Sequence, residues 1–431
     1  MNMKKFLLII ICFGALLNAC RNDNDGPSDN LATRTVMVYM AGENNLTNYN
    51  GIKYLRNDLN EIIEGTKLMS KDQRLLVFVD SLSNSTKGTP VILEVRNGET
   101  TVVHDFDKDF YSCDPAQFQQ VLQRMVNYAP AKSYGLVLWG HASGWSVSKD
   151  TIPQSRTPKR AYGQDNGRDM IGGSLKWMNI TQMARALEEL PKLEFIFADC
   201  CNMMCAEVGY ELRNATKYLI GSPAEIPGDG APYDKIIPYL FKNDSQLYTG
   251  VIDAYYDYYL EDYETDYYLN GYSVPLSVID TRQIEQLATA TRNVIDTFAE
   301  GTFNYPLTPS LKGLPFYLYY DAPAMYDLRG FIKMYAAEDD FQAWDRTYQQ
   351  AVPYYRMSMM WMTIYESLDY AMYYFNNEAT DNGCVSLFIP RNISSYFSGD
   401  FCYNKTANNF GWNRVIDWSR YGWTSDATYS R

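Results

Sequence analysis

Two continuous apolar runs, each ending in a residue with chemistry of its own, constrain this 431-residue chain most. The first, Tyr134 to Trp139, leads through Gly140 to His141; the second, Phe195 to Ala198, leads through Asp199 and Cys200 to Cys201. Short runs with no polar alternation are strands buried on both faces, the mark of a parallel sheet covered by helices. The first two-thirds of the chain supports this. Strand-like Thr35 to Met40 precedes a helical pattern from Asn50 to Glu64, and strand-like Arg74 to Asp80 precedes a hairpin of Pro90 to Arg96 and Thr100 to Val103, turning at Asn97 and Gly98. Amphipathic helices are predicted from Pro115 to Asn127 and from Asn179 to Leu190. Strands separated by helices imply right-handed βαβ units, hence an α/β fold whose mostly parallel sheet is flanked by helices. Ligand sites in such sheets lie at the carboxyl ends of strands, where His141 and Cys201 both fall. A thiol and an imidazole there are the parts of a nucleophile and its acid–base partner. The chain after Cys201 is expected to enter a helix at once, whose positive end would favour the thiolate.

Hydrophobic residues at 46% and charged ones at 21% describe a globular chain. The net charge of −13 is spread without a basic stripe, which argues against nucleic acid as a partner. At the N-terminus, Lys4 and Lys5 precede an apolar run from Phe6 to Leu17 that is too short to span a bilayer. It ends in Leu17-Asn18-Ala19-Cys20, which resembles the lipobox of bacterial lipoproteins. That implies a signal peptide over 1–19, lipidation of Cys20, a flexible tether over 20–33, and lipid anchoring to the bacterial cell envelope, at the outer membrane or cell surface. Of eight cysteines, Cys12 lies in the signal, Cys200, Cys201 and Cys205 crowd one segment, and Cys113, Cys384 and Cys402 are scattered. Free thiols are expected, with a Cys384–Cys402 bridge as the one alternative.

A polar segment from Ser146 to Gly173 separates the His141 strand from the next helix. A loop of that length in a compact domain is usually functional or disordered. Beyond residue 245 the texture turns Tyr-rich and mainly helical, over 248–272 and 335–374, with strand-like runs near 274–280 and 384–389. The Tyr-rich helices read as half-buried packing surface. The division is a core over 34–245 and a C-terminal region over 246–431 that lends strands to it.

These pieces together resemble the clostripain family of cysteine peptidases, whose fold is caspase-like. The resemblance rests on Val36 to Leu46, on Leu138 to Trp145 around the histidine, and on Asp199 to Tyr210 around the cysteine. Further matches are Gly221 to Gly230 with Tyr233 and Asp234, Leu276 to Asp280, and Ser386 to Pro390. The family's nucleophile block has Asp two before the catalytic Cys, Met two after and Glu six after. Asp199, Cys201, Met203 and Glu207 fit that register, with Cys200 as the small spacer. His141 precedes Cys201 by 60 residues, near the roughly 50 of caspases.

The resemblance implies an endopeptidase that cleaves after Arg, less readily after Lys, through a Cys201–His141 dyad and a thioester. The N–H groups of Ala142 and Cys201 would hold the oxyanion. Asp199 would pair with the basic P1 side chain, with Asp229 as a second candidate. Self-activation by a cut in the 146–173 loop is expected, after Arg160 first, then Arg156 or Lys149. No cofactor is required; some members need calcium and others do not, so calcium stays open, and no standard calcium loop is present. Two departures stand out. Ala142 replaces the usual Gly after the histidine, so the oxyanion donor survives only if the backbone there is ordinary. Asn202 follows the cysteine where the family prefers an apolar residue, a change expected to be tolerated. The alternative reading is a catalytically inactive, peptidase-like binding lipoprotein. A zinc site of Cys200, Cys201, Cys205 and His141 is a weaker rival, since adjacent cysteines ligate one ion poorly.

Overall fold

β1 (Arg34–Gly42) is buried at every position, as a central strand covered on both faces must be. In the computed structural model, which describes residues 31–82, 89–146, 161–167, 173–263, 270–302, 311–319, 323–363, 372–374, 382–391 and 407–421, it runs between two parallel neighbours. The chain continues through α1 (Tyr54–Gly65), β2 (Gln73–Ser81), the hairpin β3 (Val91–Arg96) and β4 (Glu99–Asp105), α2 (Pro115–Tyr128) and β5 (Tyr134–Trp139). Next come β6 (Tyr162–Asp165), β7 (Lys176–Met178), α3 (Ile180–Glu188), β8 (Leu193–Asp199), α4 (Ala206–Glu211), β9 (Thr216–Gly221), α5 (Tyr233–Leu240) and α6 (Asp244–Asp262). The remainder holds β10 (Leu276–Asp280), α7 (Ile284–Thr302), β11 (Phe316–Tyr319), β12 (Pro323–Asp327), α8 (Leu328–Tyr335) and α9 (Glu338–Ala351). After these follow β13 (Tyr354–Arg356), β14 (Met360–Met362), β15 (Met372–Tyr374), β16 (Ser386–Leu387) and α10 (Gly411–Ile416). From Ala32 onward these elements belong to one compact unit.

Nine strands form the central sheet, in the order β13-β10-β9-β8-β5-β1-β2-β3-β4. Its middle five, β9 to β2, are mutually parallel. β10 and β13 extend one edge by antiparallel pairing, and the β3–β4 hairpin extends the other. Asn97 and Gly98 turn that hairpin with φ of 53° and 80°, the left-handed pair that a two-residue turn matching strand twist requires.

Period-two alternation sorts the strand residues into two layers. Met37, Tyr39, Leu136, Leu138, Ile196 and Ala198 face a core built with α2 and α3. Val36, Val38, Val137, Trp139, Phe195 and Phe197 face a second core built with α1, α5 and α6. Each fully buried Val, Leu, Ile, Phe or Met among them contributes roughly 1.5–3 kcal/mol. α2 shows how a covering helix is specified: Asp114 Oδ1 accepts from the N–H groups of Ala116 and Gln117, Pro115 opens the first turn, and Phe118, Val121, Leu122 and Met125 repeat at helical spacing on the buried face. No helix among the described residues is long and apolar enough to cross a membrane.

Three expectations need correction. The run at 276–280 joins the central sheet as β10, but the run near 384–389 supplies β16 to a separate three-stranded sheet with β11 and β12. The predicted helix over 335–374 ends at Ala351; β13, β14 and β15 follow, because Tyr- and Met-rich runs pair as readily as they coil. The 146–173 segment is not a bare loop, since β6 lies inside it, pairs with β7, and buries Tyr162 and Asp165. Cys384 is a buried free thiol, so it forms no bridge; Cys402, like Cys12, lies outside the described residues.

Candidate active site

Trp139 and Asp199 are register partners on the adjacent parallel strands β5 and β8. His141 lies two residues beyond the first and Cys201 two beyond the second. Parallel neighbours run about 4.8 Å apart, so equal offsets bring the two segments out side by side at the carboxyl end of the sheet. Both residues are half-buried.

The chain does not enter a helix at Cys201. A turn intervenes, and α4 begins at Ala206 with Cys205 as its N-cap residue. A helix dipole fades within its first turn, so the expected dipole stabilisation of the Cys201 thiolate is withdrawn. In its place the Ile226 N–H donates to Cys201 Sγ at 3.5 Å. Asn202 explains the turn. Its φ is 60°, left-handed backbone that Asn adopts more readily than other side chains. Its backbone N–H donates to the Ala224 carbonyl at 2.9 Å and its Nδ2 to the Pro223 carbonyl at 2.9 Å. The polar residue therefore shapes the elbow that carries the cysteine, and an apolar one would lose both the conformational tolerance and the Pro223 bond.

The flanking thiols differ in kind. Cys200 and Cys205 are fully buried, and burial pushes both well above the ordinary thiol range, helped by the charges of Asp199 and Glu207 respectively. A thiol so placed is a poor nucleophile.

His141 Nε2 lies 2.6 Å from Asn45 Oδ1. The Trp177 ring lies beside the imidazole, centroids 6.3 Å apart and planes tilted by 45°. After it, Ala142 pairs antiparallel with Tyr162: Ser143 N–H donates to Ala161 C=O, and Gly163 N–H donates to His141 C=O, both at 2.9 Å. Those bonds run through the neighbours of Ala142, whose own N–H points away from β6. Ala142 is absent from the residues of positive φ, whereas Gly140 takes φ of 138° and would drive a Cβ to 2.9 Å from the Ala41 carbonyl. The condition for an alanine at position 142 is met.

Asp199 shares the face of Phe195 and Phe197 and points toward α1, α5 and α6. Its Oδ2 accepts from Tyr233 Oη at 2.7 Å and Ala231 N–H at 3.2 Å, its Oδ1 from Tyr255 Oη at 3.1 Å. Burial nonetheless pushes its carboxyl up. Gly230 packs against it, where a Cβ would stand 2.9 Å from Asp199 Oδ2 and 3.1 Å from Asp58 Oδ2. Asp58 accepts from Trp139 Nε1 at 2.5 Å and is held well above the ordinary carboxylate range by burial and by the Asp199 charge. Glu61, which accepts from Tyr233 N–H at 3.0 Å, is pushed up to about 7, first by burial and then by Asp234, Asp199 and Asp229. Asp229 itself is exposed in its turn. Buried Tyr255 and Tyr259 on α6 complete this wall, with Tyr259 Oη donating to the Gly230 carbonyl at 2.7 Å. The Tyr-rich helix thus turns these rings inward.

Glu207 braces the nucleophile segment from behind. Fully buried, it accepts from Phe388 N–H at 2.9 Å, while Ser386 N–H donates to the Met204 carbonyl at 3.0 Å. Burial raises the Glu207 carboxyl to about 7, above its ordinary 4.3. The folded state therefore binds the proton more tightly, and stability from this group is full below about pH 4 and lost as pH rises toward 7. Glu207→Gln is expected to remove this slope, of order 2–3 kcal/mol between pH 4.5 and 7, in urea unfolding curves; an unchanged slope would place its source elsewhere.

Under the end of β1, Glu43, Asp80 and Asp165 each bring a carboxylate oxygen within 4.8 Å of the others, all buried. Asp165 accepts from Ser112 N–H at 2.7 Å, Ser112 Oγ at 3.1 Å and Gly167 N–H at 2.8 Å. Among the described residues no donor reaches Asp80 Oδ2, and burial with the charges of Asp165, Asp109 and Glu43 pushes the Asp80 carboxyl well up against a small lowering by the Ser112 hydroxyl. These hard oxygens are of the donor type calcium takes, and three of them supply part of the six to eight ligands it needs. Among the described residues, Cys200, Cys201, Cys205 and His141 do not form such a group, which weighs against the zinc rival.

Cys20, Lys149, Arg156 and Arg160 lie outside the described residues. Sequence reasoning missed Asn45, Asp58, Glu61, Tyr233 and Tyr255 as neighbours of the site. Asn45 and Tyr233 stood within quoted motifs; the others carried no local signal.

An α/β sheet with a cysteine and a histidine at neighbouring strand ends defines a class, the cysteine peptidases of parallel-sheet fold. The clostripain family profile, peptidase family C11, matches residues 38–421. The chain belongs to that family and is a cysteine peptidase, a hydrolase of peptide bonds. It is similar to a secreted C11 cysteine protease of Bacteroides thetaiotaomicron solved with an irreversible peptide inhibitor, at 28% identity and a TM-score of 0.73 over 90% of this chain and 99% of that one. An inactive zymogen C11 protease of Parabacteroides distasonis shares the fold at 24% identity and a TM-score of 0.68, covering 90% and 98% of the two chains. A further secreted C11 protease of B. thetaiotaomicron does so at 20% and 0.68, covering 90% and 99%. No curated protein matches.

Proposed function

We propose that the chain is an endopeptidase cleaving after Arg, less readily after Lys, with Cys201 as nucleophile and His141 as acid and base. The observation that carries this is the matched offset of the two residues beyond the Trp139–Asp199 pair. His141 takes the Cys201 thiol proton as Sγ attacks the scissile carbonyl; the N–H groups of Cys201 and Ala142 receive the oxyanion, at about 3 kcal/mol per donor. His141 protonates the departing amine, and then draws a proton from water as the thioester is hydrolysed. The wall of Asp58, Glu61, Asp199 and Asp229 supports a cationic P1 side chain, and guanidinium suits a carboxylate in bidentate geometry that ammonium cannot reproduce. Where calcium is bound, Glu43, Asp80 and Asp165 are the residues that would hold it, supplying positive charge beneath the loop that follows β1.

Arg- and Lys-ended reporter peptides, run beside Ala-ended ones on wild type and Cys201→Ala, test this reading. A wild-type protein that binds such peptides without cutting them would favour the inactive binding lipoprotein. The acidic wall adds a pH signature. With Glu61 titrating near 7, deprotonation adds a negative charge that favours a bound cation, so KM for Arg peptides is expected to fall severalfold from pH 6 to 8. Glu61→Gln should flatten that fall; a KM independent of pH would remove Glu61 from the pocket.

Self-cleavage in the 146–173 segment is part of the proposal, with one adjustment. Ala161, which follows Arg160, is buried and its carbonyl accepts from Ser143 N–H, so a cut after Arg160 must first open that contact. Arg156 and Lys149 become the sites to examine first. Wild type is expected to run as two fragments on a denaturing gel and Cys201→Ala as one; a fully active, uncut wild type would refute it. The signal and Cys20 support an envelope-anchored protein facing peptide substrates.

A further inference from the structure

We infer that Asn45 is a positioning residue for His141, holding the imidazole with its proton on Nε2 and so assigning Nδ1 to proton exchange with the Cys201 sulfur. This rests on the reading of His141 and Cys201 given above. Asn45 sets its Oδ1, which only accepts, 2.6 Å from His141 Nε2, an arrangement in which Nε2 is the donor. Buried Trp177 lies beside the imidazole, ring centroids 6.3 Å apart.

The loop is built to hold Asn45 still. Asn45 opens a single 3-10 turn, Asn45–Thr47, directly after β1. Asn44, fully buried, caps that turn by accepting from Leu46 N–H at 2.9 Å, and its Nδ2 donates to the Ala41 carbonyl at 3.0 Å and the Gln164 carbonyl at 2.8 Å. Thr47 Oγ1 donates back to the Gly42 carbonyl at 2.6 Å, and Asn48 N–H closes the turn on the Asn45 carbonyl at 3.1 Å. Asn166 N–H donates to the Glu43 carbonyl at 2.9 Å. The loop is thus fastened to β1 beneath it and to the β6 segment beside it, and the β6 segment also holds the chain around His141 through the Gly163 N–H to His141 C=O bond. One strand therefore sets both partners of the Asn45–His141 contact. An uncharged acceptor fixes the tautomer without locking the ring as imidazolium, which a carboxylate would promote.

The test uses the full chain as Asn45→Ala, Asn45→Asp, His141→Ala and Cys201→Ala. It measures kcat and KM on an Arg-ended reporter across pH, the rate of Cys201 alkylation by iodoacetamide, and Tm. Asn45→Ala is expected to lower kcat on the order of 10- to 100-fold with KM nearly unchanged, since a small misplacement of a reacting group costs about that much. Asn45→Asp restores an acceptor and is expected to recover most of kcat. It is also expected to move the His141-linked limb of the kcat/KM and alkylation profiles up by about one pH unit, because the carboxylate favours imidazolium. If Asn45→Ala unfolds, as Tm would reveal, the profile of Asn45→Asp decides. Unchanged kcat and profiles in the Asn45 variants, with His141→Ala and Cys201→Ala inactive, would overturn the inference and leave the dyad standing. A change in KM alone, or a folded Asn45→Asp as impaired as Asn45→Ala, would overturn it equally. Full activity in His141→Ala would sink the dyad reading instead.

Discussion

Cys201→Ala and His141→Ala are each expected to lower peptide hydrolysis by on the order of 10⁴- to 10⁶-fold, the scale at which removing one member of a nucleophile–base unit disables the whole. Cys200→Ala and Cys205→Ala are expected to keep most of the activity. Cys201 is half-exposed at a turn where a backbone N–H meets its sulfur, whereas the other two are buried with thiols pushed well up. Their loss should appear in Tm, as small cavities in the core, rather than in kcat. Loss of activity in Cys200→Ala with retention in Cys201→Ala would overturn the register that sets Asp199 two residues and Glu207 six residues from the nucleophile. Parallel Tm measurements on each variant separate a chemical loss from an unfolded protein.

Asp199→Asn is expected to lower kcat/KM on Arg peptides by about 3 kcal/mol or more, the cost of leaving a buried guanidinium without its counter-charge, which is about 10²-fold or more in rate. The carboxylate already accepts from Tyr233, Tyr255 and Ala231, so the variant also sets an amide N–H₂ against one of these donors. Two controls separate the effects: the alkylation rate of Cys201, which a lost P1 contact leaves unchanged, and hydrolysis of Ala-ended peptides, which it leaves low but unaltered. A full rate on Arg peptides would reassign Asp199 to bracing the turn at Gly230.

The central sheet was legible because its strands are continuous apolar runs separated by helices, and because Asn97 and Gly98 mark a two-residue turn without ambiguity. His141 and Cys201 were legible for the same reason: both stand just past the ends of such runs. What stood beside them was not. Tyr233 and Tyr255 reach Asp199 from α5 and α6, far along the chain, and only the face of β8 that Asp199 occupies determines that meeting. β6 was hidden because four residues containing a glycine carry too little periodicity to register as a strand. The helix expected at Cys201 was displaced by the left-handed turn at Asn202, a local preference that apolar pattern does not report.

The most direct test of the account is where an irreversible Arg-ended peptide electrophile attaches to the protein, read by mass spectrometry of the digested adduct. The account predicts one adduct, on Cys201, formed far more slowly in His141→Ala and Asp199→Asn and absent in Cys201→Ala. Attachment to Cys200 or Cys205, or labelling of His141→Ala at the wild-type rate, would contradict it.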